Sequence, residues 1–464
     1  MLCTLLLLCA LAATVRAQTP PLTPHTLPYA PGKSITLSLP AALDINVAAS
    51  GLHRVRFLAQ SPDGRIFATG MWNLADNARG SVFILDGWNP TIHKFTHVTT
   101  YLDGLRNPNN LAFWTDPSTH QTWLYLPLTD RLERFPYRPG DTAPGGPAQI
   151  LMRFPDYGLN YKYGGWHLTR TVAVADLHGK PQVYIAAGSS CDYCKEREVI
   201  RATVSAMNPD GTGQRIVAQG IRNAVDLRYL PDLDGGALVA TDMGDDHLGE
   251  HAPEDSFFEL DSRTHLGPVA ASSSPNYGWP TCYFAMGKPV HDTTPLPEMP
   301  PPGDPNTEAE RPSDSSYGAQ PGVYKQGTLI PAATGKADPN AALGQVPAPL
   351  PSCEHVPAAY TTFAAHSSPL GVAYFGPDNP DLHGSFLVAL HGASRPRIGT
   401  GYQVVGFSPA DRTPRPFLTG FLTAGPGGTP HVHGRPCGLL RLAPDTFLLT
   451  DDKLGLVYYI HPRP

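Results

Sequence analysis

Charge is scarce in this 464-residue chain: Asp, Glu, Lys and Arg together make up 16%, and 34 basic against 40 acidic residues leave a net charge of −6. About a quarter would be ordinary for a globular domain. The low content argues against many solvated helix surfaces. The lack of a basic excess excludes an electrostatic footprint for nucleic acid or an anionic membrane. Long apolar runs are also missing. Beyond the N-terminus no stretch approaches 18 consecutive apolar residues, so no membrane span is expected. Lys195 stands where a Cys-x-x-Cys-His motif needs its histidine, which excludes covalent haem, and no second Cys-x-x-Cys completes a four-cysteine zinc site.

Glycine and proline are in excess instead, at 45 and 51 residues. Many turns follow, while 41% hydrophobic residues suffice to fill a large core, so the chain reads as globular. Leu2 to Ala13 form a short apolar run, and Val15-Arg16-Ala17 supplies the small residues of a signal-peptidase site. Residues 1–17 therefore read as a signal peptide cleaved before Gln18, which places the protein in the periplasm or outside the cell. Cys191, Cys194, Cys282, Cys353 and Cys437 remain, an odd number that leaves one thiol free. Cys191-Asp-Tyr-Cys194 can be read as a redox pair, half a zinc site or a local disulfide, with the disulfide preferred.

One unit recurs along the chain: an alternating apolar strand, a Pro-Asp or Asp-Gly turn, and a second apolar strand. Clear copies turn at Asp63, Asp232 and Asp445, and weaker ones at Asp116, Asp176 and Asp378, with spacings of 53, 60, 56, 146 and 67 residues. The long gap contains a proline-rich stretch over 283–352, an inserted loop that regular strand or helix does not suit. Without its roughly 70 residues the gap matches the others. The expected fold is all-β, a six-bladed β-propeller over 34–464 preceded by a linker at 18–33. A β-sandwich uses similar hairpins, but the regular recurrence favours the propeller. Ser34 to Leu39 has no evident hairpin partner nearby and is expected to complete the blade that ends at Val457 to Ile460.

Propeller loops converge on the central channel, so polar residues just before each unit's first strand are the candidates for chemistry. They are Arg56, Arg106 with Asn107, His167 with Arg170, Arg222 with Asn223, and Arg435. Converging guanidiniums left unpaired would repel one another, which suggests an anionic ligand. Thr241-Asp-Met-Gly244-Asp245-Asp246 with Pro253-Glu-Asp255 concentrates oxygen ligands of the kind Ca²⁺ takes, or forms a solvated acidic loop.

Taken in order, several stretches carry a family resemblance: His167-Leu-Thr-Arg170, Gly188-Ser-Ser-Cys191-Asp-Tyr-Cys194, Gly220-Ile-Arg222-Asn223, Asn276-Tyr-Gly-Trp-Pro280, His366-Ser-Ser-Pro-Leu-Gly371, Gly401-Tyr402 and Gly434-Arg435-Pro. The chain resembles the pyrroloquinoline quinone (PQQ)-dependent glucose and sorbosone dehydrogenases, most closely the sorbosone dehydrogenase-like branch. The resemblance implies a six-bladed propeller that uses PQQ and Ca²⁺ to oxidise a sugar or sugar aldehyde. Electrons would pass to an external cytochrome or quinone acceptor. By position it implies His167 as catalytic base, and Arg56, Arg222, Asn223 and Arg435 as PQQ-binding residues. His391 and Arg395 are implied likewise, although the family's His-Gly-Ser-Trp-Asn-Arg stands here as His391-Gly-Ala-Ser-Arg395-Pro-Arg397, without the Trp. Backbone carbonyls of Gly244 and Asp245 would hold Ca²⁺, and Cys282 would pair with Cys353. The competing readings are a propeller that kept the scaffold and only binds a ligand, and a calcium-dependent lactonase with carboxylates converging on the metal.

Overall fold

The computed structural model describes residues 21–155, 167–177, 180–196, 198–233, 235–260, 274–298, 350–377, 382 and 384–463. The expected signal peptide, most of the 283–352 stretch and Asp378 lie outside them. Six four-stranded antiparallel sheets form the body of the molecule, and no α-helix occurs among the described residues. The first strands of blades I to VI are Val55–Gln60, Ala112–Thr115, Arg170–Leu177, Ala224–Leu230, Pro369–Phe375 and Pro436–Ala443. Each touches the first strand of the next blade, and the sixth touches that of the first, so these strands line the axis and the ring closes. Side chains alternate across each strand, so both faces of a blade bury apolar residues. Accordingly one apolar cluster fills each gap between neighbouring blades, such as Val239, Phe257, Val372 and Phe386 between IV and V.

The strand that closes the ring differs from the one expected. Leu43–Ala49 pairs with Leu456–Pro462 and completes blade VI. Lys33–Pro40, which contains Ser34 to Leu39, instead pairs with Leu22–Ala30, inside the expected linker. Pro31-Gly32 makes the turn, with Gly32 at φ 67° where only glycine is unstrained. The hairpin buries Ile35, Leu37 and Leu39 against the outer part of blades V and VI. The start of the proline-rich stretch is likewise ordered. Cys282–Ala285 and Lys288–His291 form a hairpin around Met286-Gly287, both at positive φ, and its Phe284 packs against Phe258 of blade IV. Disulfides join Cys282 to Cys353 and Cys191 to Cys194, and Cys437 is a buried free thiol.

Adjacent blades are also riveted near the axis. In blades I, IV and VI the first strand shifts register between Val55 and Leu58, Ala224 and Leu227, and Pro436 and Leu439. A bulge exposes one amide that the ladder leaves unpaired. The hydroxyls of Thr69, Thr241 and Thr450 accept these amides, from Phe57 at 3.1 Å, Asp226 at 3.1 Å and Gly438 at 2.7 Å. Each hydroxyl then donates to a carbonyl of the following blade: Asn109, Leu370 and Arg56 respectively. Thr450→Val keeps the shape but strands a buried amide and a buried carbonyl. It is expected to destabilise the fold by about 1–3 kcal/mol, read as a lower denaturation midpoint. An unchanged midpoint would remove this rivet from the account.

Candidate active site

First strands begin, and second strands end, at the same end of the ring. The residues preceding the first strands therefore meet the loops 71–79, 188–202, 243–254, 391–402 and 452–455 around one mouth. Backbone strain gathers there. Arg54, Asn107, His167 and His366 have φ between 46° and 61°, which side-chain-bearing residues adopt at a cost.

His167, at the entry to blade III, is held through Nδ1, 3.0 Å from the Ser189 carbonyl and 2.9 Å from the Ser189 hydroxyl. That hydroxyl spends its proton on the Cys191 carbonyl at 2.6 Å. Nδ1 must then carry the hydrogen, which leaves the lone pair on Nε2. Burial, followed by the Arg222 guanidinium, holds the imidazole pKa well below the usual histidine range. Gly188 is required beside it, since a Cβ there would lie 2.6 Å from the His167 Cβ and 2.7 Å from Asn223 Oδ1. Asn223 Oδ1 is itself a buried acceptor without a hydrogen-bond partner among the described residues.

Arg222 is buried and donates to Asp192 through Nη2 at 2.5 Å and Nε at 2.9 Å, to the carboxylate and the carbonyl respectively. Asp242 accepts the backbone amides of Arg222 and Asn223, and burial raises its pKa to about 7. Asp255 anchors the 243–254 loop by accepting the amides of Gly244 at 2.8 Å and Ser368 at 2.7 Å. Two of the loop's carboxylates lie beside histidines: Asp245 Oδ1 is 2.8 Å from His247 Nδ1, without a hydrogen bond between them, and Asp246 is 2.9 Å from His366 Nδ1. The carbonyls of Gly244 and Asp245 accept no hydrogen bond among the described residues. Backbone oxygens of this kind are ones a hard cation takes. Cys191, Cys194 and Glu196 also converge, but the disulfide occupies both sulfurs.

On the opposite side, between blades VI and I, Arg56 donates to Asp452 Oδ2 at 3.0 Å and twice to Asn109 Oδ1 at 3.2 Å. Arg54 reaches the same Asp452 oxygen at 3.5 Å, and His391 Nε2 lies 2.8 Å from the other. Arg435 Nη1, always a donor, faces His391 Nδ1 at 3.3 Å, so His391 keeps its proton on Nε2 and gives it to Asp452. Burial pushes the His391 pKa down to about 4. Arg435 is otherwise held by the carbonyls of Gly392 and Ala393 and by Tyr402. The nearby Asp451 accepts backbone amides and no guanidinium.

The guanidiniums are therefore not the bare ring expected from sequence: Arg56 is paired with Asp452, Arg222 with Asp192, and Arg106 with Asp76 at 2.7 Å. Low-dielectric burial requires such partners. An excess nevertheless survives, because Arg54 and Arg56 share the Asp452 carboxylate, while the Arg435 guanidinium is bonded to carbonyls, His391 and Tyr402 and to no carboxylate among the described residues. Arg395 is exposed on the 391–402 loop, near enough to Asp246 to lower its pKa, and Arg170 is fully buried against backbone carbonyls. The donor set suits a ligand with several carboxylates. Sequence reasoning missed Asp452, Asp192 and Asn109, and it read Asp255 as a candidate metal ligand where the structure has it accepting two backbone amides.

No protein-family model matches the chain. No curated protein matches it either. Solved structures do. The holo PQQ domain of pyranose dehydrogenase from Coprinopsis cinerea superposes with a TM-score of 0.61 at 15% identity, covering 94% of this chain and 98% of that one. The calcium structure of a Trichoderma reesei carbohydrate-active enzyme of family AA12 gives 0.59 at 14% identity, covering 92% and 97%. The apo soluble aldose sugar dehydrogenase of Escherichia coli gives 0.51 at 12% identity, covering 91% and 100%. At these identities the likeness establishes a shared six-bladed architecture.

Asp452 offers a direct test of the charge arrangement. Burial would raise its pKa, but His391, Arg56 and Arg54 together hold it well below the ordinary carboxylate range. Its stabilising contribution is complete above an unfolded-state pKa of about 3.9 and is lost as pH falls below that toward the folded value. Asp452→Asn is expected to cost about 3–5 kcal/mol at pH 7 by stranding buried guanidiniums. The gap to wild type should shrink below about pH 4. Equal stabilities at pH 7 would contradict this arrangement.

Proposed function

We propose that the protein is a PQQ- and calcium-dependent dehydrogenase, of the sorbosone dehydrogenase-like kind, that oxidises a hydroxyl of a sugar or sugar aldehyde in the periplasm or outside the cell. The observation that carries this reading is a surplus of guanidinium charge at blades VI and I, set across the mouth from a neutral histidine whose Nε2 lone pair is fixed by Ser189. PQQ has three carboxylates, which such a surplus would neutralise. Arg54, Arg56, Arg435 and His391 would hold it on one side, Arg222 and Asn223 on the other, with Arg395 at the rim. Calcium would sit on the carbonyls of Gly244 and Asp245. When bound, the quinone supplies a carbonyl that accepts hydride, polarised by the metal.

The chain's own residues supply the rest. His167 takes the hydroxyl proton at Nε2 while the neighbouring C–H leaves as hydride, and burial beside Arg222 keeps the imidazole unprotonated at neutral pH. Gly188 leaves room for the base and the buried Asn223 oxygen to share one small space. Electrons then pass to an external acceptor of the cytochrome or quinone class, in line with the lack of a haem motif. The lactonase reading has less support, since Asp245 and Asp246 turn to His247 and His366 and do not converge on one point.

Activity is tested by adding PQQ and Ca²⁺ to the purified protein and following dye reduction with a panel of aldoses and sugar aldehydes. Wild type is expected to turn over at least one of them, with an acidic limb of the pH profile below pH 6.5 because His167 titrates below the ordinary value of about 6.5. His167→Ala should lower turnover by about 10²- to 10⁴-fold and retain PQQ affinity. A variant keeping more than about a third of wild-type turnover would exclude His167 as the base.

A further inference from the structure

The disulfide-closed loop 191–194 touches Ser189, Arg222 and the 243–249 loop on the blade III–IV side of the mouth. The Cys191 carbonyl takes the Ser189 proton and so sets the tautomer of His167. Tyr193 stacks on His247 with ring centroids 3.9 Å apart, and His247 in turn contacts Asp245. Asp192, between them, is the junction. Its Oδ1 accepts Arg222 Nη2 at 2.5 Å and the backbone amide of Asp246 at 2.9 Å. Its carbonyl accepts Arg222 Nε at 2.9 Å and the Trp279 indole at 3.3 Å. One carboxylate oxygen thus holds both the arginine and the loop that carries Gly244 and Asp245. Arg222 Nη1 completes a triangle by donating to the Met243 carbonyl at 3.3 Å.

We propose that Asp192 is the positioning residue that couples Arg222 to the 243–249 loop, so that occupancy of the anion site and occupancy of the cation site favour each other through it. The cation part rests on the functional reading above. The physical basis is geometric. A ligand that draws on Arg222 shifts a guanidinium shared with Asp192, and Asp192 can follow only by moving the Asp246 amide, because the 191–194 disulfide removes the slack from its own backbone. Coupling of this kind is reciprocal, so the factor by which calcium improves PQQ affinity equals the factor by which PQQ improves calcium affinity.

Two readouts test it on the full chain. In the ligand-free protein, hydrogen exchange over 243–249 is expected to accelerate at least tenfold in Asp192→Ala relative to wild type, with blades I and VI unchanged. Equal exchange over 243–249 would overturn the proposal. If the alanine variant does not fold, Asp192→Asn reads the same quantity, with at least threefold acceleration expected and none overturning it. In calorimetry the ratio of PQQ affinities with and without Ca²⁺ should fall toward one in the folded variant. A purely structural role would lower both affinities and keep that ratio. Wild type that binds no PQQ would defeat the functional reading, while the exchange measurement would still decide the role of Asp192.

Discussion

The guanidinium of Arg56 lies at the axis of the ring with almost no access to water, and it is bonded both to Asp452 and to Asn109. A charge in that position is tolerable only if every partner is in place. Asn109 in turn donates to Thr171 and to the Val225 carbonyl, so one chain of polar contacts runs from blade VI through I, II and III to IV. Thr450 ties the Arg56 carbonyl to the same blade VI strand that ends beside Asp452. The polar floor of the mouth and the surplus of guanidinium charge above it therefore meet at one ion pair across the ring's closure, whose members are 396 residues apart in the chain.

Strand alternation and Pro-Asp turns report local geometry, and local geometry is what makes a blade. The six units were legible for that reason. Closure was not, because Ser34 to Leu39 and Leu43–Ala49 both alternate, and only packing against Leu456–Pro462 separates them. Pro31-Gly32, a turn signal within the supposed linker, was the available clue. Of the site, His167, Arg222, Asn223 and Arg435 stood out as polar residues ahead of first strands, and the structure brings them to one mouth. Their partners Asp192, Asn109 and Asp452 belong to other loops, and no local pattern marks a carboxylate as destined for a distant guanidinium.

The two sides of the mouth differ in their polar groups. Blades VI and I offer fixed positive charge around His391, whose pKa burial lowers to about 4. Blades III and IV offer a buried imidazole with a defined tautomer, an amide oxygen without a hydrogen-bond partner among the described residues, and the 243–254 loop. The ordered hairpin at Cys282–Ala285 and Lys288–His291 backs that second side: Asp292 lies 2.7 Å from His247, and Glu254 pairs with Phe284. The insertion thus braces the loop that carries Gly244 and Asp245.

Calorimetric titration of PQQ into the ligand-free protein, once with Ca²⁺ and once with a chelator, is the most direct measurement of the central claim. The account predicts one PQQ per chain, with binding in the presence of Ca²⁺ at least tenfold tighter than with the chelator. No heat of binding in the presence of Ca²⁺, from protein shown to be folded, would contradict it.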